Sequence, residues 1–169
     1  MRDPEDFDLA ALHDALDEQR ARRGLTWRGV AGEINGGSSA SGISPSTISG
    51  VAKKEAVEGD GVLQMLIWLE RTPESFMPDH DREPAVDEAL PVVGPKRILR
   101  WDAHALYSAV AAKRAELGMT WDQVARATGC GVNTLTGLSR AQRVGFPQVM
   151  RIVRWLGRPA AEFTRASPQ

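Results

Sequence analysis

Apolar residues along this chain recur at three- and four-residue intervals, and no stretch alternates with a period of two. Val62, Met65, Leu66 and Leu69 share one stripe of a helix, and Val149, Ile152, Val153 and Leu156 repeat the same spacing. Leu9, Leu12, Ala15 and Leu16 mark an earlier helix, as do Ala105, Leu106, Ala109 and Val110. These two end at Gly24 and Gly118, which suit a left-handed C-terminal cap, and Thr26 and Thr120 then offer N-caps to the helices that follow. A short fifth helix is expected after Thr72-Pro73 and again after Arg158-Pro159, with proline in the first turn and Phe76 or Phe163 closing the core. The pattern predicts an all-α protein.

The pattern occurs twice. Shifted by 94 residues, Asp8, Leu12, Ala15, Arg20, Gly24, Thr26, Trp27, Val30 and Ala31 fall on Asp102, Leu106, Ala109, Arg114, Gly118, Thr120, Trp121, Val124 and Ala125. Further on the shift is 87, and Thr47, Gly50, Val57, Trp68, Leu69, Arg71 and Phe76 fall on Thr134, Gly137, Val144, Trp155, Leu156, Arg158 and Phe163. The difference is a glycine-serine excess in the first copy, read as slack that loosens the angle between its second and third helices. A period of this length seen twice is a duplicated small domain rather than a solenoid. We therefore expect a first domain over 1–76, a proline- and acid-rich linker over 77–95, and a second domain over 96–169. A fully extended linker would reach about 60 Å.

Charge divides the copies. Residues 1–80 hold 8 Lys+Arg against 14 Asp+Glu, whereas residues 101–169 hold 9 against 4, so only the second copy presents a positive field to a polyanion. The single cysteine excludes an internal disulfide, and Cys130 sits at an apolar packing position. His13, His80 and His104 are too dispersed for a metal motif, and the triplet at 79–81 reads as solvated charge. No catalytic constellation, nucleotide fingerprint or membrane-length apolar run is present, so neither an enzyme nor a membrane protein is expected, and no cofactor or metal.

The second copy resembles a helix-turn-helix of the Cro and phage-repressor type, the XRE family. The resemblance rests on Val124 and Ala125, Gly129 in the turn, Cys130 after it, and Leu135 and Leu138 in the next helix, and the first copy keeps Val30, Ala31, Ile43, Ile48 and Val51 in equivalent places. It implies two tandem five-helix domains, each placing its third helix in the DNA major groove. Carried over, base contacts fall on Val132, Asn133, Thr136 and Gly137 in the second copy, and on Pro45, Ser46 and Ser49 in the first. Asn133 is the residue suited to bidentate pairing with adenine; as a first-turn polar residue it equally suits a helix cap. The resemblance puts phosphate contacts on Arg140, Gln142 and Arg143, with Lys53 and Lys54 as their counterparts.

Two departures stand out. Tryptophan occupies the position where the family often has a phosphate-binding glutamine, so Trp121 is either an indole donor to phosphate or a structural ring, and Trp27 likewise. Arg20 and Arg114 match the family's first-helix arginine, but Ala52 and Ser139 replace its glutamate partner, which leaves the arginines for another carboxylate or for DNA. Ile67 replaces the second copy's Arg154 beside Trp68, an apolar strip expected to join the two domains or two chains.

The function expected is sequence-specific recognition of double-stranded DNA by a cytoplasmic regulator of transcription, a repressor, with the second domain as principal reader. The strong bias of arginine over lysine resembles coding from a GC-rich bacterial genome. The alternative is a protein-interaction adaptor whose helix-turn-helix units serve as docking surfaces, which the low overall charge favours. A homodimer, or another protein held by the first domain, fits either.

Overall fold

The computed structural model describes residues 6–36, 42–54, 56–78, 88–94, 96–140 and 143–168. The first repeat contains α1 (Leu9–Arg22), α2 (Trp27–Ile34), α3 (Pro45–Ser49), the two-residue strand β1 (Val57–Glu58) and α4 (Gly59–Leu69). The strand β2 (Arg97–Trp101) leads into the second, with α5 (Ala103–Leu117), α6 (Trp121–Thr128), α7 (Val132–Gly137), β3 (Gly145–Phe146), α8 (Gln148–Leu156) and β4 (Thr164–Pro168). Equivalent residues start equivalent helices: the Asp8 carboxylate accepts from Ala11 N and that of Asp102 from Ala105 N, both at 3.0 Å.

The all-α, five-helix expectation is wrong on two points. Among the described residues there are eight α-helices and two small antiparallel sheets, β1 with β3 and β2 with β4. The proline-led stretches expected as fifth helices, Pro73–Phe76 and Ala160–Phe163, are single 3-10 turns, too short for α-helical bonding to propagate. The strands escaped the hydrophobic pattern because two residues carry no period and each ladder pairs segments far apart in sequence. Only Leu99 and Trp101 in β2 show the alternation, both buried.

The β1–β3 pair joins the repeats. Val57 lies opposite Phe146 and Glu58 opposite Gly145, and at the repeat offset of 87 Gly145 is the counterpart of Glu58. A residue facing its own counterpart across antiparallel strands defines a local two-fold axis. The same bond closes each repeat on itself, Asp8 N donating to Phe76 O at 2.9 Å and Asp102 N to Phe163 O at 2.6 Å. The contacts between the repeats obey the axis. Gln64 of α4 donates to Leu99 O in the segment entering α5, while its counterpart Arg151 of α8 pairs with Asp6 in the segment entering α1.

The side chains at the axis are complementary rather than identical. Phe146 packs edge-on against Phe7 at 4.8 Å between ring centroids. Its counterpart, Gly59, has no side chain, and there Trp101 fills the space and donates its indole N–H to Gly59 O at 3.1 Å. Gly59 N in turn donates to Val144 O at 2.6 Å. Trp101, Phe7 and Phe146 are buried in a single apolar cluster that runs through both repeats. The repeats are thus packed together and not merely tethered, and Met77, Leu90 and Val93 of the expected linker pack on that core. The charged triplet 79–81 and the remainder of the linker up to 87 lie outside the described residues.

Ile67 and Trp68 are not at this joint. Trp68 is half-buried within the first repeat, where Gln19 donates to its carbonyl at 3.0 Å and the Arg23 guanidinium lies 5.7 Å from its ring; Ile67 is exposed. The joint formed instead where backbones could approach, at Gly59 and Gly145. A Cβ on Gly59 would sit 2.3 Å from Val144 O and 2.8 Å from Trp101 Cδ1. We expect Gly59→Ala to lower stability by about 1–3 kcal/mol in urea unfolding, while Gly61→Ala on the same helix, whose Cβ meets nothing nearer than 3.5 Å, is tolerated.

Candidate nucleic-acid interface

In the second repeat a capping box starts α6: Thr120 Oγ1 accepts from Gln123 N at 3.2 Å, and Gln123 Oε1 accepts from Thr120 N at 2.8 Å. The helix stops at Gly129, whose φ of +76° a residue with a Cβ rarely adopts. Thr128 ties the turn, donating to Val124 O at 2.9 Å and accepting from Cys130 N at 3.3 Å. Val124, Cys130, Leu135 and Leu138 are buried, and α7 packs against α6. Burial pushes the Cys130 thiol up, which keeps it protonated in its core position.

That wedge turns the other side of α7 to solvent. Asn133 and Thr134 are exposed, and Val132, Thr136 and Gly137 half-buried. The N-cap of α7 is Gly131, without a side-chain capping bond, so Asn133 does not serve as the cap. Thr136 Oγ1 donates to Val132 O at 3.0 Å, which commits its proton within the helix. Arg140 and Arg143 are both exposed in the segment between α7 and β3; Gln142 lies outside the described residues.

The first repeat reaches the same arrangement by another route. Its longer turn is pinched at the base: Asn35 Nδ2 donates to Ile43 O at 3.0 Å and Asn35 Oδ1 accepts from Ile43 N at 2.9 Å. Residues 37–41 of the glycine-serine excess lie outside the described residues; across them, one amide ties the end of α2 to the residue before Ser44. Ser44 caps α3, accepting from Thr47 N at 3.2 Å, and its hydroxyl lies 3.1 Å from that of Ser46. Ser46 is exposed, Pro45 and Ser49 are half-buried, and Lys53 and Lys54 are exposed beyond the helix.

Trp27 and Trp121 each carry a cation over one face of the ring. Arg114 lies 4.9 Å from the Trp121 ring and Tyr107 stacks on it at 5.9 Å; Arg20 lies 5.0 Å from Trp27 and His13 5.6 Å. Each arginine also donates to the turn before the tryptophan, Arg20 to Leu25 O and Arg114 to Met119 O, both at 3.0 Å. Arg20 meets Asp17 as its carboxylate. In each unit the arginine thus bridges the first helix to the turn and to the ring that starts the second. Trp121 is nonetheless only half-buried, at the first residue of α6.

A cleft of about 370 Å³ runs between the repeats, lined by Ser44, Thr47, Glu58, Asp60, Arg100 and Arg143. Arg143 of the second repeat thus lies beside α3 of the first, and the segments bearing the predicted phosphate contacts flank the two-fold axis. Nothing near Asp60 along the chain marks it as special, because its partners lie about forty residues away. Its carboxylate accepts from Trp101 N at 2.9 Å and lies 3.5 Å from the Arg100 guanidinium. Burial raises its pKa, with Glu58 adding to the effect, against the lowering by the Trp101 N–H, Arg100 and Arg143. Among the described residues no three potential ligands converge on a metal position, and no helix is long and apolar enough to cross a membrane.

No protein-family model, curated protein or solved structure matches the chain.

A raised carboxylate pKa means the folded state holds the proton longer than the unfolded state. Between the ordinary value of 3.8 and the raised one, stability therefore falls as pH rises, and it levels off above. Asp60→Asn keeps an acceptor for Trp101 N and removes this titration. Denaturant unfolding across a pH series is expected to show the variant gaining on the parent as pH climbs from about 4 and then holding a constant difference; a difference that does not change with pH would show the carboxylate to be unperturbed.

Proposed function

We propose that the chain is a sequence-specific DNA-binding regulator, acting as a repressor by occupying its site, with the second repeat as the principal reader. The observation that supports this most is the outward face of α7, with Asn133 making no capping bond, next to the exposed Arg140 and Arg143. A helix of six residues wedged by its inner face against α6 leaves its outer side for a groove, and two exposed cations in the segment that follows it suit the phosphates that border it. Asn133 reads adenine through N6 and N7, and Val132 contacts a neighbouring thymine methyl. Thr136 and Gly137 let the helix backbone sit close to the base edges. Trp121, at the start of α6, adds an indole N–H donor toward phosphate.

The first repeat contributes less charge at the same surface. Lys53 and Lys54 are its cations, offset by Glu58 nearby, and Pro45, Ser46 and Ser49 form a small, uncharged face on α3. Its share of the binding energy is accordingly smaller, and its role is to complete the site. Occupation of a promoter requires nothing more than this surface, which is why repression is the mode proposed.

Titration against a randomised duplex pool at two salt concentrations tests the assignment. Replacing Arg140 and Arg143 together by alanine is expected to weaken binding and to reduce the salt slope by about 2, because each lost phosphate contact removes roughly one counterion from the exchange. Lys53→Ala with Lys54→Ala is expected to do so less. Asn133→Ala should cost about 1–3 kcal/mol and relax preference at one base pair. Unchanged specific binding by the arginine pair would transfer the principal role to the first repeat.

A further inference from the structure

We infer that one chain, without a second copy, reads two half-sites arranged as an inverted pair. This rests on the DNA-binding reading and adds the geometry of the site. Two units related by a two-fold axis lie at the same height along that axis and face the same way along it. We take α3 and α7 to be such a pair, because the local axis at Glu58 opposite Gly145 exchanges β1 with β3, and the contacts of Gln64 with Leu99 and of Arg151 with Asp6 exchange α4 with α8 about it. Duplex DNA has two-fold axes of its own, perpendicular to the helix. Two equivalent reading helices can therefore engage successive major-groove faces, about 34 Å apart, only when the two DNA words run in opposite directions. A direct repeat is related by translation along the duplex and would need the units to be related likewise.

The orientation is fixed by packing and not by the length of the connection. Phe7, Val57, Trp101, Val144 and Phe146 are all buried, and Asp60, Gln64 and Arg151 make polar contacts across the repeats. A flexible tether would permit inverted and direct sites alike. The shared core permits one. The same burial makes self-association unnecessary for a two-word site, since the surface that would pair two chains is already paired within one.

In the parent protein the two words differ, because α3 presents Pro45, Ser46 and Ser49 where α7 presents Val132, Asn133 and Thr136. Unlike words hide their relative direction. The triple variant Pro45→Val, Ser46→Asn, Ser49→Thr gives α3 the reading face of α7 while keeping Thr47 and Gly50, which already match Thr134 and Gly137. Selection from a randomised duplex pool is then expected to enrich a palindrome, and native mass spectrometry to show one chain on each duplex. Recasting that palindrome as a direct repeat should weaken binding by about a hundredfold, the loss of one half-site at ~1–3 kcal/mol for each mismatched base pair. Enrichment of direct repeats, or two chains on each palindrome, would overturn the inference and leave DNA binding intact. An unextended single word would also overturn it, by showing that only one repeat reads. Failure of the parent chain to select any sequence would instead sink the function proposed above. If the triple variant does not fold, as circular dichroism would reveal, the single variant Ser46→Asn, which gives α3 only the counterpart of Asn133, goes through the same selection, where adenine enriched at symmetry-related positions is expected and adenine at translation-related positions would overturn the inference.

Discussion

Close backbone approach at Gly59 is the constraint on which this structure turns. With no Cβ there, the chain can donate Gly59 N–H to Val144 O and set β1 against β3, and Trp101 can lay its ring in the space that a side chain would have filled. Everything that makes the two repeats one body follows from that approach. It fixes the axis, brings Phe7 onto Phe146, and places the β2 backbone where Asp60 and Gln64 can satisfy its outer edge. Those two side chains stand in for a neighbouring strand, so a two-stranded sheet is finished on that side without a third.

Duplication gave the repeats the same local grammar, and asymmetry then accumulated where the two-fold axis allows it. Opposite each other across the axis, Gly59 and Phe146 exchange volume, as do Trp101 and Phe7 on their partners. The polar clasps diverge as well, a neutral amide at Gln64 and an ion pair at Arg151 with Asp6. An exact two-fold joint built from identical chains could not make these paired changes, since each substitution would appear twice. Fusion into one chain releases that restriction and lets one unit become basic while the other turns acidic.

The proposed reading surface inherits this division. In the second repeat the turn between α6 and α7 is set by a left-handed glycine and a buried threonine, both local devices. In the first repeat a longer turn reaches an equivalent outcome through the Asn35 clasp on Ile43. In both, the arginine and tryptophan stack stiffens the corner between the first two helices. Such rigidity favours recognition because a surface already in shape loses little freedom on meeting its partner.

Local chemistry alone determined a good deal. Thr26 and Thr120 cap helices because a short oxygen-bearing side chain satisfies free N–H groups within three residues. Gly118 and Gly129 end helices because the left-handed conformation penalises a Cβ, and the buried stripes of α4 and α8 follow from helical period. These depend on neighbours in the chain, so sequence exposes them, and so does the doubling of the pattern. The β1–β3 pair, the Trp101 insertion, the burial of Asp60 and the shared core depend on segments that sequence keeps far apart. A strand of two residues carries no periodicity, and a buried carboxylate is indistinguishable from an exposed one until its distant partner is in place. For that reason the sequence pointed to two helical units on a tether, and only tertiary packing turned them into a single body with an internal two-fold axis.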